Sequence, residues 1–157
     1  MSLQITVLVG FIAFLTCLAW PGKPQGEWPA PPTEGNSEAV KKVTSGCYKT
    51  ASAAWWGFDP ADSTEFLQNA LNSPAKEVVV PYMGNPWVVR PILLPSDVTV
   101  IFNPGVVISA KKGEFKGKHD SLFLAADRHD ITLKGYGARF VMNREDYQSD
   151  TYEKAEW

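Results

Sequence analysis

Seven short β-branched runs, one amphipathic helix ahead of them and an internal echo 33 residues apart predict an all-β protein. The expected architecture is a parallel β-helix whose first coil is closed by that helix, with a β-sandwich as the alternative. The helical segment is "DPADSTEFLQNALNS". Asp62 stands as N-cap, with Glu65 three residues on to complete a capping box, and Pro60 brings a preset φ to the helix start. Phe66, Leu67, Ala70 and Leu71 make an apolar face opposite Glu65, Gln68, Asn69 and Asn72, and Asn72-Ser73-Pro74 ends the helix.

Beyond that helix the period of the pattern changes to that of strands. The expected strands are Glu77–Tyr82, Trp87–Leu94, Val98–Phe102, Val106–Ala110, Leu122–Ala125, Ile131–Leu133 and Arg139–Met142. Gly, Pro, Asn or Asp punctuates each, the residues that turns require. Asn-Gly and Asp-Gly loops are missing between them, which argues against local hairpins. "PSDVTVIFNPGVVISA" (Pro95 to Ala110) and "RHDITLKGYGARFVMN" (Arg128 to Asn143) share one frame, with Asp130 lying 33 positions after Asp97. Such repetition marks stacked coils. An open coil end is an aggregation edge, so the Asp62–Asn72 helix is expected to serve as its lid.

Ahead of the helix the chain divides into two parts. Residues 1–19 read as a secretory signal peptide, with Ile5 to Leu18 almost wholly apolar and Cys17 and Ala19 as the small residues of the cleavage site. An uncleaved anchor and a lipoprotein attached through Cys17 are the alternatives. Residues 20–54 read as a Pro-rich linker and N-terminal extension: Pro21 to Asn36 holds five prolines and three glycines. Ser37 to Ala54 fits either a short helix or a loop, Ser45-Gly46 being the interruption. Residues 55–157 then hold the cap and first coils. Two or three coils approach the lower limit for a repeat array, and "YQSDTYEKAEW" has no stop-like cap, so a chain truncated at its C-terminus is expected.

Composition excludes some functions. The 157-residue chain carries a formal charge of −2, which disfavours a nucleic-acid partner. With the leader removed Cys47 is the sole thiol, so neither an internal disulfide nor a cysteine zinc site is expected. No N-glycosylation sequon occurs.

Four groups of residues could carry chemistry. Asp127, Arg128, His129 and Asp130 form the densest titratable cluster, and the plainer reading is a polar turn before a strand. Lys111 to Asp120 places four lysines around Phe115, a surface for an anionic polysaccharide or simply a solvated loop. Glu145, Asp146 and Asp150 lack the spacing of a calcium loop and read as solvated, and lone His119 has no partner. Trp55, Trp56 and Trp87 could stack on sugar rings, but packing where the cap meets the first coil is the expected role. No catalytic residue, cofactor site or metal site is assigned from these patterns.

"DPADSTEFLQNALNS" followed by "EVVVPYMGNPWVVRPILLPSDVTVIFNPGVVISA" resembles the N-terminal end of right-handed parallel β-helix proteins of the pectate-lyase/polygalacturonase superfamily. The likeness lies in a D-S-T-x-x-[LF]-Q-x-A-L helix, a V-x-V-P strand, an S-x-V-T strand and a P-G turn. It implies a secreted, periplasmic or cell-surface protein acting on polysaccharide by hydrolysis or elimination, with calcium in the elimination case. The catalytic groups would then lie on later coils. A non-catalytic carbohydrate-binding, structural or adhesive β-helix module is the alternative, because this fold hosts both.

Overall fold

The computed structural model describes residues 34–118, 120–148 and 152. The proposed signal peptide, most of the proline-rich stretch, His119 and Asp150 lie outside the described residues. The protein is mostly short strands in parallel sheets, with few helices. None of the helices among the described residues is long and apolar enough to cross a membrane.

Helix α1, Ser37–Thr44, opens the described fold. Asn36 caps it, its side-chain oxygen accepting from the Ala39 N–H at 3.0 Å. Glu38 in the first turn and Lys41 and Lys42 in the last complement the helix dipole. Strand β1, Thr50–Ser52, and a single 3₁₀ turn, Ala53–Trp55, lead to helix α2, Thr64–Leu71. Folded structure therefore begins ahead of Trp55, inside the stretch read as extension. Eight strands follow: β2 Glu77–Val80, β3 Trp87–Val89, β4 Ile92–Leu93, β5 Val98–Phe102, β6 Val107–Ala110, β7 Phe123–Leu124, β8 Ile131–Lys134 and β9 Arg139–Val141. Helix α3, Arg144–Gln148, comes last.

From β2 onward consecutive strands go to different sheets. One sheet has the order β1-β2-β5-β8, a second β3-β6-β9 and a third β4-β7. Every ladder among the described residues is parallel. Parallel neighbours need a long return connection, usually a helix. Helix α2 lies in the return from β1 to β2, and from β2 onward strands of the other sheets make the return. A sandwich of antiparallel hairpins would not give these ladders.

The internal echo is this pairing. Val98 faces Ile131, Thr99 faces Thr132 and Val100 faces Leu133, all at the same 33-residue offset that joins Asn143 Nδ2 to the Ala110 carbonyl. In the second half of the echo Ile108 faces Phe140, a slip of one residue absorbed in the turn. Both turns use a glycine in the left-handed region, Gly105 at φ 84° and Gly137 at φ 77°, and the Gly105 N–H donates to the Gly137 carbonyl.

Alternation along β2, β3, β5 and β6 builds the core. Val98, Val100 and Phe102 of β5 point inward while Thr99 and Ile101 lie partly exposed. Stacked down the first sheet, Ala51, Val78 and Val100 are all buried. Trp87 and Ile108 continue the interior on the second sheet. Phe102, Phe123 and Phe140, one from each sheet, bring their rings within 5.8, 5.1 and 5.9 Å of one another.

Several boundaries and one cap differ from expectation. "WVVRPILL" is two strands in two sheets, broken at Arg90-Pro91, because Pro91 has no N–H to continue a ladder. Helix α2 starts at Thr64 with Ser63 as N-cap, not at Asp62. The capping box does not form, since the Glu65 carboxylate accepts from Arg90 Nη2 at 2.8 Å instead.

Candidate functional site

Helix α2 lies against β3 and β4 and pairs their backbone. The Ser63 N–H donates to the Val88 carbonyl at 2.7 Å, and the Arg90 N–H donates to Thr64 Oγ1 at 2.8 Å. Gln68 treats β4 as a neighbouring strand would: its Nε2 donates to the Leu93 carbonyl at 2.8 Å and its Oε1 accepts the Leu93 N–H at 2.9 Å. Leu67, Ala70 and Leu71 are buried against the coil interior, with Thr64 beside them, while Phe66 is only half-buried. Edge strands with unpaired backbone recruit other chains, and these bonds remove that edge at β3 and β4.

An ionic cluster holds the lid. Asp62 Oδ1 accepts from the Thr64 N–H at 3.0 Å and from the Thr64 hydroxyl. Its Oδ2 accepts from Lys111 Nζ at 2.7 Å and lies 3.3 Å from Arg90 Nε. Burial pushes the Asp62 carboxyl upward, but Lys111, Thr64 and Arg90 outweigh it, leaving the pKa lowered from 3.8 to about 2. Lys111 and Asp62 are 49 residues apart, so the cluster ties the start of α2 to the residue that follows β6.

Beside the lid runs an open groove of about 540 Å³, lined by Glu65, Gln68, Asn72, Leu93 and Arg128 among others. Most of its polar groups already hold the lid. Arg128, at its rim, makes no ion pair among the described residues. Leu93 leaves an apolar floor. The result is a shallow surface that combines an amide, an apolar patch and a guanidinium, and it offers contacts for binding.

The other predicted residues fall in separate places. Of the cluster Asp127–Asp130, all four are exposed, and only Arg128 reaches the groove. His129 Nδ1 is 3.0 Å from Asp130 Oδ2 and 3.9 Å from Asp97 Oδ1. Asp97 and Asp130 directly precede the paired strands β5 and β8, both in the left-handed region at φ 60° and 55°. The sequence reading missed Asp97 as a partner of His129, although the 33-residue echo already superimposes Asp97 on Asp130.

The lysine loop is partly spent on structure. Lys111 binds Asp62, Lys112 pairs with Glu145, and Phe115 is fully buried as the anchor of the loop. Hydrogen bonding and charge from Glu145 raise the pKa of Lys112. Lys116 and Lys118 are exposed and without ion pairs among the described residues. Asp146 is not solvated: it is buried on α3, its Oδ1 accepting the Gly113 N–H at 2.9 Å.

Calcium takes about six to eight oxygens. Glu145 and Asp146 are committed to Lys112 and Gly113, and the grouping of Asp97, His129 and Asp130 supplies two exposed carboxylates and a ring nitrogen.

The tryptophans pack. Trp87 is fully buried, its Nε1 donating to the Pro81 carbonyl at 3.0 Å and its ring edge-on to Phe58 at 4.9 Å. Trp55 and Trp56 are half-buried against the core, and Trp55 lies 5.9 Å from the Tyr48 ring. The Trp55 carbonyl accepts from the Asn36 N–H at 2.7 Å, tying α1 to the 3₁₀ turn.

No family model, curated protein or solved structure matches the chain.

Proposed function

We propose that the chain is the capped portion of a right-handed parallel β-helix protein that acts on polysaccharide. The reading rests on its resemblance to the pectate-lyase/polygalacturonase superfamily. The observation that supports it most is the lid, because the motif helix "STEFLQNAL" pairs the backbone of β3 and β4 where a first coil would otherwise be bare. Beyond it, the "EVVVP", "SDVTVIF" and "PG" motifs lie on β2, on β5 and its approach, and on the turn before β6, in the order the resemblance calls for. In this reading the protein is exported, and Arg128, Lys116 and Lys118 are among the described cations without an ion pair that could meet an acidic polymer.

A non-catalytic binding role for these coils is favoured by one observation. Asp62, Glu65, Arg90 and Lys111 are tied to one another, and a carboxyl with a pKa near 2 is no general acid at neutral pH. The test is retention on immobilised polygalacturonate and on a neutral polysaccharide, with assays for new reducing ends and for unsaturated products. We expect salt-sensitive retention on the acidic polymer without cleavage. Retention on neither polymer would remove the polysaccharide reading, and cleavage would overturn the non-catalytic one.

A further inference from the structure

An open notch of about 520 Å³ is lined by Cys47, Tyr48, Lys49, Thr50 and Trp55. None of these residues lines the groove beside α2. Two rings form its apolar walls, Tyr48 and Trp55, with centroids 5.9 Å apart and planes tilted by 42°. Trp55 is half-buried against the core, whereas Tyr48 is 40% exposed. The turn that presents Tyr48 is held by one acceptor. The Lys42 carbonyl takes the Cys47 N–H at 2.9 Å and the Tyr48 N–H at 3.2 Å, around Gly46 at φ 77°. The ring is therefore placed before any ligand arrives, which lowers the ordering cost of binding.

Lysines stand around these rings. Lys42 Nζ lies 5.6 Å from the Tyr48 ring centroid. The Lys76 N–H donates to the Lys49 carbonyl at 2.8 Å, so the residues that precede β1 and β2 are neighbours. Lys42, Lys49 and Lys76 are exposed and without ion pairs among the described residues. Glu38, one turn before Lys42 on α1, and Glu77, its Oε1 3.5 Å from the Thr50 hydroxyl, are the acids on the same elements. The rim keeps an excess of positive charge.

We propose, on the polysaccharide reading, that this notch binds one uronate residue of an acidic chain. The C–H face of the sugar ring lies against Tyr48 and Trp55, its carboxylate meets Lys49 and Lys76, and a ring hydroxyl meets Thr50. Aromatic side chains cover apolar surface while leaving a wet rim, and exposed ammonium groups attract a carboxylate. A neutral sugar would leave the lysines unused, and a small anion would leave the rings unused. A nucleotide also joins a ring to a charge, but the net charge of −2 disfavours a nucleic-acid partner.

The experiment is calorimetric titration of the full chain with a galacturonate oligomer and with its fully methyl-esterified form, which keeps the rings and loses the charge. The acidic oligomer should bind about tenfold tighter. Lys49→Gln combined with Lys76→Gln should weaken it about tenfold and narrow the difference between the two oligomers. Tyr48→Ala should weaken both about fivefold, and Tyr48→Phe, which keeps the ring, should bind as wild type. Circular dichroism of each variant checks that the fold is kept. Binding of neither oligomer removes the polysaccharide reading and the notch's ligand with it. If wild type binds but the lysine double variant and Tyr48→Ala bind equally well, the notch is overturned. Loss of that binding in Arg128→Gln would then leave the polysaccharide reading standing. Tighter binding of a single-stranded thymidine oligonucleotide than of the acidic sugar overturns the choice of ligand.

Discussion

Replacing Gln68 with methionine tests how the lid closes the first coil. Methionine has nearly the same length and helix propensity, so α2 itself should be unaffected. Two hydrogen bonds to Leu93 are lost, at 2.8 and 2.9 Å, together with an exposed contact from Gln68 Nε2 to Asn72 Oδ1 at 3.0 Å. Each neutral hydrogen bond contributes about 0.5–1.5 kcal/mol net, which brackets the loss at about 1–3 kcal/mol. These bonds are solvent-accessible and water can pair the freed Leu93 groups, so the lower part of that range applies, about 1–1.5 kcal/mol. Urea unfolding of wild type and variant measures it directly. Amide exchange adds a local readout. The Leu93 N–H should lose protection, while those of Ile92 and Leu94, which donate to Leu122 and Leu124, keep theirs. A stability change under about 0.3 kcal/mol together with an unchanged Leu93 exchange rate would refute the pairing role of Gln68.

Further tests concern the ionic cluster, the core and the coil corners. Asp62 has its pKa depressed in the folded state, so its contribution is fully present above 3.8 and is lost as pH falls toward about 2. With a quarter of the side chain exposed, that contribution is about 1–2 kcal/mol, and Asp62→Asn should flatten acid unfolding in that window while costing a similar amount at pH 7. Trp87→Phe leaves the partly buried Pro81 carbonyl without its donor and opens a small cavity, so denaturant unfolding should show a loss of about 1–3 kcal/mol. Asp97→Ala places a less tolerant residue at φ 60° and should cost about 1 kcal/mol in thermal unfolding relative to Asp97→Gly.

The parts of the fold that were legible in the sequence depend on local pattern. The inward alternation of "VTVIF" coincides with β5 residue for residue, and the Asp97–Asp130 echo is a ladder register. What stayed hidden is decided at a distance. Glu65 abandons the capping box because Arg90, 25 residues on, offers a charged partner that the local sequence does not reveal. Strand β1, "TAS", has no apolar pattern and exists because β2 lies beside it. Asp146 reads as a surface acid, but the Gly113 N–H, 33 residues before it, draws it inside. The same reason limited the site: Arg128 was visible within a polar run, whereas the groove it borders is made by α2 and β4, which only the coil brings together.

The strand register tests the central claim of stacked parallel coils most directly. Inter-strand nuclear Overhauser contacts in an isotope-labelled sample should connect Val78 to Val100 and Val100 to Leu133, with neighbouring pairs advancing in the same direction along each strand. Antiparallel contacts between residues 98–102 and 107–110, the pattern of a local hairpin, would contradict the account.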